Sequence, residues 1–324
     1  MTFPEQVHRI ELPTPYPVGP VNVYLLDGDE PALVDAGVWS SRSIGVLESQ
    51  LATHGRRLAD VRRILVTHDH TDHAGAARRL SQQCGATLCM HRRGEQPTKW
   101  ADARQPLFDF LVRCAVPRDW LENAFRMFGT EGSKFDDRNA VPHDVLWLAG
   151  GERIALGGVD LEVLATPGHA PDHLCFVEPA SGTLFCGDML LPHITPNPLL
   201  YLDPHNQFRR HHALLDYLSS LALLAGRSFS AGCPGHGPAI PDVAELLARN
   251  RAFVERRRQR YAALFGHSPV TPFELARALF GELDLMNQYL AVSETVAYLD
   301  LLERDGLVGV DWNAETIVAW LRKD

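Results

Sequence analysis

Residues 66–75 have the sequence VTHDHTDHAG, in which three histidines and two aspartates follow a short apolar run. The apolar run predicts a buried strand that ends just before the first histidine. His68 and His70 are two positions apart, so an extended segment places both on the same side, where they can chelate one ion. Asp72 and His73 then lie on the turn into the next helix and face a second position beside the first. Such a group is unfavourable to bury unless a metal or hydrogen bonds satisfy it.

Three further polar residues each follow a predicted strand and adjoin a glycine: His169 in TPGHA, Asp188 in FCGDM and His236 in PGHGP. A glycine beside a ligand lets the backbone approach a site without a clash from Cβ. Strand ends of an α/β sheet converge on one edge, where ligands collect. We therefore expect two metal ions at this edge. The predicted ligands are His68, His70 and His169 for one ion and Asp72, His73 and His236 for the other, with Asp188 as the bridge.

The ligand types narrow the choice of metal. Neutral imidazole and ionised carboxylate are ligands that zinc and its neighbours prefer. The sequence therefore predicts two divalent ions, zinc first, while iron and manganese stay open because an all-His/Asp set accepts them as well.

The composition is that of a globular protein. The chain has 324 residues, 45% of them hydrophobic, and a net charge of −9, which indicates two domains and excludes general disorder. No stretch approaches the roughly 20 apolar residues of a membrane span. The first residues show no basic start followed by an apolar run, so no secretory signal is predicted. The six cysteines contain no C-x-x-C pair, which is typical of reduced thiols, and we expect a cytoplasmic protein.

The first 240 residues alternate short apolar runs with helical patterns, which predicts a layered α/β domain over 1–240. The runs include VNVYLL (21–26) and RILVTH (63–68). Residues of about 92–148 contain aromatic side chains at helical spacing and little strand pattern, so we predict a helical insertion there. This insertion could serve as a lid or pocket wall, although such an aromatic stripe is more typical of a core.

The remainder of the chain predicts a linker helix over 241–266 and a small domain over 267–324. The sequence TPFE at 271–274 fits a capping box at the start of a helix. A second helix is predicted over roughly 292–304. LVGVDW and TIVAWL then favour a hairpin. Two helices followed by a two-stranded wing are the outline of a winged helix-turn-helix.

The ordered motifs HDHTDH, TPGH, GD and GHG resemble those of the metallo-β-lactamase superfamily. The resemblance spans residues 20–240 and implies an αββα sandwich with a dinuclear site along one edge of the sheets. The predicted tail after GHGP is similar to that of the lactamase-beta-like subgroup, which carries a C-terminal winged-helix domain and includes endoribonucleases acting on single-stranded RNA.

The resemblance also suggests roles for individual residues. Asp72 would be a metal ligand that also orients the hydroxide shared by the two ions or carries its proton. It is our candidate catalytic residue. Asp35, in LVDAG, is similar to the first motif aspartate of the family, and we expect it to orient a ligand histidine. His173 could be a further polar neighbour of the site. The proline-rich segment 191–205 follows the bridging aspartate, and there His193 and Tyr201 are candidate substrate contacts.

The expected activity is hydrolysis of an ester, thioester or phosphodiester by a metal-bridging hydroxide. Two alternatives stay open: an endoribonuclease acting on single-stranded RNA, and a glyoxalase-II-like thioesterase. The latter group has a helical C-terminal segment instead of a wing.

The charge of the tail bears on nucleic-acid partners. Residues 267–324 carry four basic and ten acidic side chains, a net charge of 4 − 10 = −6. A helix that reads DNA is expected to be basic, so a metal-dependent DNA-binding regulator and sequence-specific DNA binding are disfavoured. The tail is instead expected to pack on the catalytic domain, shape a substrate edge or form a homodimer contact. The run ERRRQR (255–260) could grip phosphates, although a solvated helix face explains it as well.

Overall fold

A computed structural model of the chain describes residues 5–95, 100–131, 137 and 140–322. Its first sheet has six strands in the order β1 to β6, antiparallel up to β3 and parallel from there on. These strands are β1 (Val7–Leu12), β2 (Val21–Leu26), β3 (Ala32–Val34), β4 (Arg63–Leu65), β5 (Thr87–His91) and β6 (Asp144–Leu148).

The second sheet has five strands in the order β13-β10-β9-β8-β7. They are β7 (Arg153–Ala155), β8 (Asp160–Ala165), β9 (Leu174–Glu178), β10 (Thr183–Gly187) and β13 (Ala231–Pro234). The two sheets pack face to face over a buried apolar layer, to which Tyr24 and Leu65 contribute from one sheet and Phe176 and Phe185 from the other. The chain segment that connects β10 to β13 contains a small two-stranded ribbon of β11 (Leu202–Asp203) and β12 (Arg209–Arg210).

Helices cover both outer faces of the paired sheets. Leu47, Leu51 and Leu80 pack on the outer face of the first sheet, and Leu221 and Leu246 pack on that of the second. The covering helices are α1 (Ser41–Thr53), α2 (Thr71–Ala74) and α3 (Ala77–Cys84) on one side, and α6 (Ala213–Ala225) and α7 (Val243–Ala262) on the other. The predicted αββα sandwich is confirmed, because each sheet buries one face against its partner and the other against helices.

Four loops that carry predicted site residues leave the sheets at one edge. His68 lies three residues after β4, His169 four residues after β8, Asp188 directly after β10 and His236 two residues after β13. The loops of the two sheets are joined there, since the backbone N–H of Leu174 donates to the carbonyl of Thr67 at 2.7 Å. Residues far apart in the sequence therefore meet at this edge.

Among its described residues, the predicted insertion forms a short 3₁₀ helix (Arg92–Glu95) and the helices α4 (Trp100–Arg113) and α5 (Arg118–Glu131). Phe108 and Phe125 of these helices are buried in an apolar cluster shared with residues after 270. This agrees with core packing for both side chains. The prediction of a helical insertion is wrong over its last five residues, because 144–148 form β6, the edge strand paired with β5. This strand lies at the edge of the sheet, with Asp144 and Leu146 exposed.

The C-terminal residues form two helices and a hairpin. The capping box at Thr271 and Glu274 is confirmed. The second helix starts earlier than the predicted position 292, because Asp284 provides its N-cap. The elements are α8 (Pro272–Phe280), α9 (Leu285–Arg304), β14 (Val308–Asp311) and β15 (Val318–Leu321), with β14 and β15 antiparallel.

Helix α9 is buried against the helices that cover the second sheet. Its residues 291–300 are almost all buried, and Tyr298 stacks on Tyr261 of α7 with ring centroids 4.9 Å apart. Asp300 forms an ion pair with Arg210 of β12. A single bridge between Val270 and Ala319 ties the hairpin to the segment before α8.

Two further features concern the lengths of the helices and the state of the cysteines. Among the described helices, none is both long and apolar enough to cross a membrane. All six cysteines are free, and five of them are buried, as expected for reduced thiols in a core.

Candidate metal centre

The structure brings together all seven side chains that the sequence predicted as metal ligands. Their nitrogen and oxygen atoms form three overlapping groups, within each of which all atoms lie within 4.8 Å of one another. The groups are His68, His70 and His169; His68, His73 and Asp188; and Asp72, His73 and His236.

The distances between these groups place Asp188 at the middle. Its Oδ1 atom lies 3.4 Å from Nε2 of His73, and its Oδ2 atom lies 3.6 Å from Nε2 of His169 and 3.8 Å from Nε2 of His236. The carboxylate thus reaches both halves of the cluster. On the first half, Nδ1 of His70 lies 2.9 Å from Nε2 of His68 and 3.1 Å from Nε2 of His169.

Four of the histidines are held through Nδ1, so that their Nε2 atoms point into the cluster. A carbonyl or carboxylate oxygen can only accept a hydrogen bond, so the Nδ1 atom facing it carries a proton and Nε2 is the nitrogen that can bind a metal when the imidazole is neutral. The partners of Nδ1 are the Thr67 hydroxyl for His68, the Asp35 carboxylate for His73, the Asn197 carbonyl for His169 and the Pro20 carbonyl for His236.

Asp35 orients two histidines from the end of β3. Its Oδ2 atom accepts from Nδ1 of His73 at 2.7 Å. Its two oxygens also accept from the hydroxyl of Thr67 at 3.0 and 2.9 Å, and that hydroxyl in turn lies 3.0 Å from Nδ1 of His68. Asp35 has a φ of 64°, a left-handed conformation that aspartate tolerates better than most residues. The contact predicted between Asp35 and a candidate ligand histidine is present.

Two glycines allow the strands to approach the cluster closely. A Cβ on Gly235 would lie 2.3 Å from Oδ1 of Asp188 and 2.5 Å from Cε1 of His73. Gly187 has a φ of 45°, and a Cβ there would lie 2.7 Å from the hydroxyl of Thr67. Both positions therefore exclude any side chain, as predicted for glycines beside ligands.

The charges at the cluster favour a bound cation. Burial, reinforced by neighbouring histidines, lowers the pKa of His68 well below its usual value and that of His70 to about 3. Burial opposes ionisation of Asp188, but His73 and other histidines outweigh it and lower the pKa of that carboxyl. The imidazoles of His68 and His70 are therefore neutral and the Asp188 carboxylate is ionised, as metal ligands must be.

The hydrogen bonding of the cluster also fits a metal. Among the described residues, Nε2 of His73, Nε2 of His236 and Oδ1 of Asp188 are buried without a hydrogen-bond partner. Buried polar atoms without partners are unfavourable, and a divalent cation would satisfy these three together. The residues present thus fit a metal centre.

Two buried residues lie just behind this cluster. His173 stacks on the ring of His68 with centroids 5.0 Å apart, and its Nδ1 lies 3.0 Å from the hydroxyl of Thr166. Asp172, which the sequence analysis missed, accepts from the backbone N–H of Asp69 at 2.9 Å and so fixes the loop that carries the first histidines. Burial, with a smaller effect of Asp69, raises the pKa of Asp172 to about 7. Its position between two histidines in GHAPDH was the only sequence signal.

The two candidate substrate contacts lie in the loop of residues 191–201, which we call the entrance loop. His193 is exposed and adjoins Gly237, the residue after His236: a Cβ on that glycine would lie 3.6 Å from Cδ2 of His193. Tyr201 is half-buried, and its carbonyl accepts from the backbone N–H of His211 at 2.9 Å. His193 thus lies beside the residue that follows His236, and Tyr201 contacts the segment just before helix α6.

Comparisons with known proteins agree with this architecture. The family model described as "Metallo-beta-lactamase superfamily" matches residues 16–239. "Probable metallo-hydrolase YqjP" of Bacillus subtilis (strain 168) is 29% identical over 326 residues, covering 97% of each chain. "Thioesterase pkgB" of Emericella nidulans is 34% identical over 122 residues, 37% of this chain and 32% of that protein. The crystal structure of metallo-beta-lactamase family protein TTHA1429 from Thermus thermophilus superposes with a TM-score of 0.81 and 30% identity, covering 99% of this chain and 100% of that chain.

The matched segment contains all seven converging side chains, and the likeness to the Thermus protein extends over both chains. The chain therefore belongs to the metallo-β-lactamase superfamily and is a hydrolase of that superfamily.

Proposed function

We propose that the protein is a dinuclear metal-dependent hydrolase that cleaves a thioester, with zinc in both positions and iron or manganese as alternatives. The observation that carries this proposal is the cluster of seven side chains, in which three buried ligand atoms lack hydrogen-bond partners. In this proposal the two ions take the ligands assigned from the sequence. One ion would be held by His68, His70 and His169, and the other by Asp72, His73 and His236. Asp188 would contribute to both.

Two bound ions would lower the pKa of a water molecule toward neutrality and polarise the substrate carbonyl. Asp72 would be both a ligand and the acceptor that orients this water. Its Oδ2 atom lies 3.3 Å from Nε2 of His236. Burial works against ionisation, but the charge of His73 and the nearby imidazole of His236 outweigh it and lower the pKa of Asp72. The carboxylate therefore stays ionised and able to accept a hydrogen bond.

Two observations favour a thioester over RNA. The first is the similarity to a relative named as a thioesterase. The second is the environment of the C-terminal helices, because RNA binding requires exposed cations that neutralise phosphates. Residues 267–324 carry a net charge of −6, and α9 is buried along most of its length. That burial also counts against a DNA-binding regulator that would use this helix.

The basic run 255–260 also favours a thioester over RNA as the substrate. Arg257 lies 3.4 Å from a carboxylate oxygen of Glu294, and Arg258 lies 2.6 Å from one of Asp305. Two of its four arginines thus pair with acidic residues of the C-terminal segment. We further propose that 1–240 is the catalytic domain, 241–266 a linker helix and 267–324 a winged-helix-like domain that packs on it.

The proposal is tested by loading the purified protein with Zn²⁺ and measuring hydrolysis of acyl-coenzyme A thioesters beside labelled single-stranded RNA. The control is His70→Ala, which removes one predicted ligand. We expect thioester cleavage that requires metal and is lost in the control. Cleavage of RNA but not of thioesters would replace the substrate assignment with the endoribonuclease alternative. A metal content below two ions per chain after loading would contradict the dinuclear centre.

A further inference from the structure

His169 is held by a backbone carbonyl in a loop rather than by a side chain as His68 and His73 are. Its Nδ1 atom donates to the backbone carbonyl of Asn197 at 3.3 Å, and Asn197 lies in the entrance loop, where the described backbone forms neither helix nor strand. In contrast, His73 is oriented by a carboxylate that directly follows a central strand. The orientation of His169 thus depends on whatever holds the entrance loop in place.

Helix α9 holds this loop at two points. The side-chain amide of Asn197 donates to the carbonyl of Leu290 at 3.2 Å, and the hydroxyl of Tyr289 donates to the carbonyl of Leu200 at 3.2 Å. Both contacts come from the first two turns of α9. This helix follows residue 239, where the match to the superfamily ends.

Helix α7 holds the same loop from another side. The hydroxyl of Thr195 donates to Oδ1 of Asn250 at 3.4 Å, and Arg249 donates to the carbonyl of Pro192. Asn250 is only 2% exposed, and its Nδ2 atom donates to the hydroxyl of Tyr217 at 2.9 Å. A buried amide that uses both its oxygen and its nitrogen in this way fixes its two partners relative to each other.

Tyr217 also packs against the loop that carries His169. A Cβ on Gly168 would lie 2.6 Å from Cα of Tyr217, so the residue before His169 packs directly on helix α6. The hydroxyl of Ser220, one turn further along α6, donates to the carbonyl of Pro167 at 2.7 Å. The TPGH loop therefore contacts α6, and the entrance loop contacts α7 and α9. Helices α6 and α7 are linked to each other through Tyr217 and Asn250.

We propose that Asn197 and Asn250 are positioning residues for His169, and that α7 and α9 thereby complete the metal centre. The two helices set the carbonyl that fixes the tautomer and ring plane of His169. Partners of this kind are worth about 10–100-fold in metal affinity. This inference rests on the metal-binding role proposed above, and it assigns the C-terminal segment a part in the centre that packing alone would not require.

The test is a stepwise Zn²⁺ titration in competition with a chromophoric chelator, performed on full-length variants. Asn197→Ala removes the amide that binds α9. The reference variant is His169→Ala, which identifies the binding step that belongs to the ion held by this histidine. The matched control is Asn287→Ala, because this asparagine is also on α9 but donates to Asp284 at the surface. Tyr289→Phe is a milder second variant that removes one hydroxyl and keeps the ring.

We expect Asn197→Ala to weaken about tenfold the binding step identified with His169→Ala, and to leave the other step and the Asn287→Ala control unchanged. Tyr289→Phe should act in the same direction by a smaller factor. Unchanged affinities in Asn197→Ala, or an equal loss in both steps together with a lower unfolding temperature, would overturn the inference and indicate a structural role only. If the unmodified protein binds no metal, the proposed function fails and this inference fails with it. If it binds two ions and the variants match it, only the inference fails.

Discussion

Replacing Gly235 with alanine tests the geometry of the cluster most directly. The new Cβ would lie 2.3 Å from Oδ1 of Asp188 and 2.5 Å from Cε1 of His73, whereas ordinary contacts begin at 3.4 Å. Relief of the shorter contact requires a movement of 3.4 − 2.3 = 1.1 Å. Gly235 is not in the left-handed region, so the backbone accepts alanine and the effect comes from the methyl group alone.

Ligands must be held within about 0.5 Å of their productive geometry, and a misplacement of about 1 Å costs about 10²-fold in rate. We therefore expect Gly235→Ala to lower kcat/KM at least that much and to reduce bound metal below two ions per chain. Turnover and metal content by atomic absorption measure both effects. The control is Gly45→Ala, in helix α1, where a Cβ meets nothing within 4 Å and alanine stabilises the helix by about 1 kcal/mol. A Gly235→Ala protein with two ions and normal turnover would refute the geometric reasoning.

Three other changes test separate parts of the structure. Asp188→Asn should reduce metal content and turnover together, since an amide cannot bridge two cations as a carboxylate does; normal values of both would exclude the bridging role. Asp35→Asn should weaken metal binding about 10–100-fold, because the amide no longer offers His73 a charged acceptor, and a chelator competition with unchanged affinity would contradict this. The hydrogen bond to Asp300 raises the pKa of His212. This hydrogen bond stabilises the folded protein fully below the pKa that His212 has in the unfolded chain, about 6.5. The stabilisation is lost as the pH rises through the higher pKa of His212 in the folded protein. The difference in unfolding free energy between the protein and His212→Gln should therefore be larger at about pH 5.5 than at about pH 9, and a difference independent of pH would argue against the pair.

The sequence predicted the central strands well because their signal is local. The apolar runs VNVYLL (21–26) and RILVTH (63–68) contain β2 at Val21–Leu26 and β4 at Arg63–Leu65. In the two large sheets, the strands that the sequence analysis did not identify are β1, β6 and β7; the two-residue strands β11 and β12 were not identified either. Strands β1 and β6 lie at the edges of the first sheet and β7 at an edge of the second. The exposed positions of β1 and β7 give these edge strands a mixed pattern, whereas β13, also at an edge, is buried throughout and was predicted.

In the candidate site too, residues that belong to local motifs could be predicted and residues with distant partners could not. The seven converging side chains could be predicted because each belongs to a short motif at a strand end. Thr67, Asp172 and Asn197, which orient those side chains, could not be predicted in that way. Their roles depend on partners that the fold brings close: Asn197 acts on a histidine 28 positions away and is itself held by a residue 93 positions away.

The sequence by itself determined the α/β architecture, the order of the motifs and the candidate ligands, because spacing along a strand or turn is a property of neighbouring residues. Only the tertiary structure decided where the C-terminal helices lie. Helix α9 has a sequence compatible with an exposed position in a winged helix, yet it is buried against α7 and contacts the entrance loop. Burial and hydrogen-bond partners across such separations follow from the packing of whole surfaces, which no local pattern encodes.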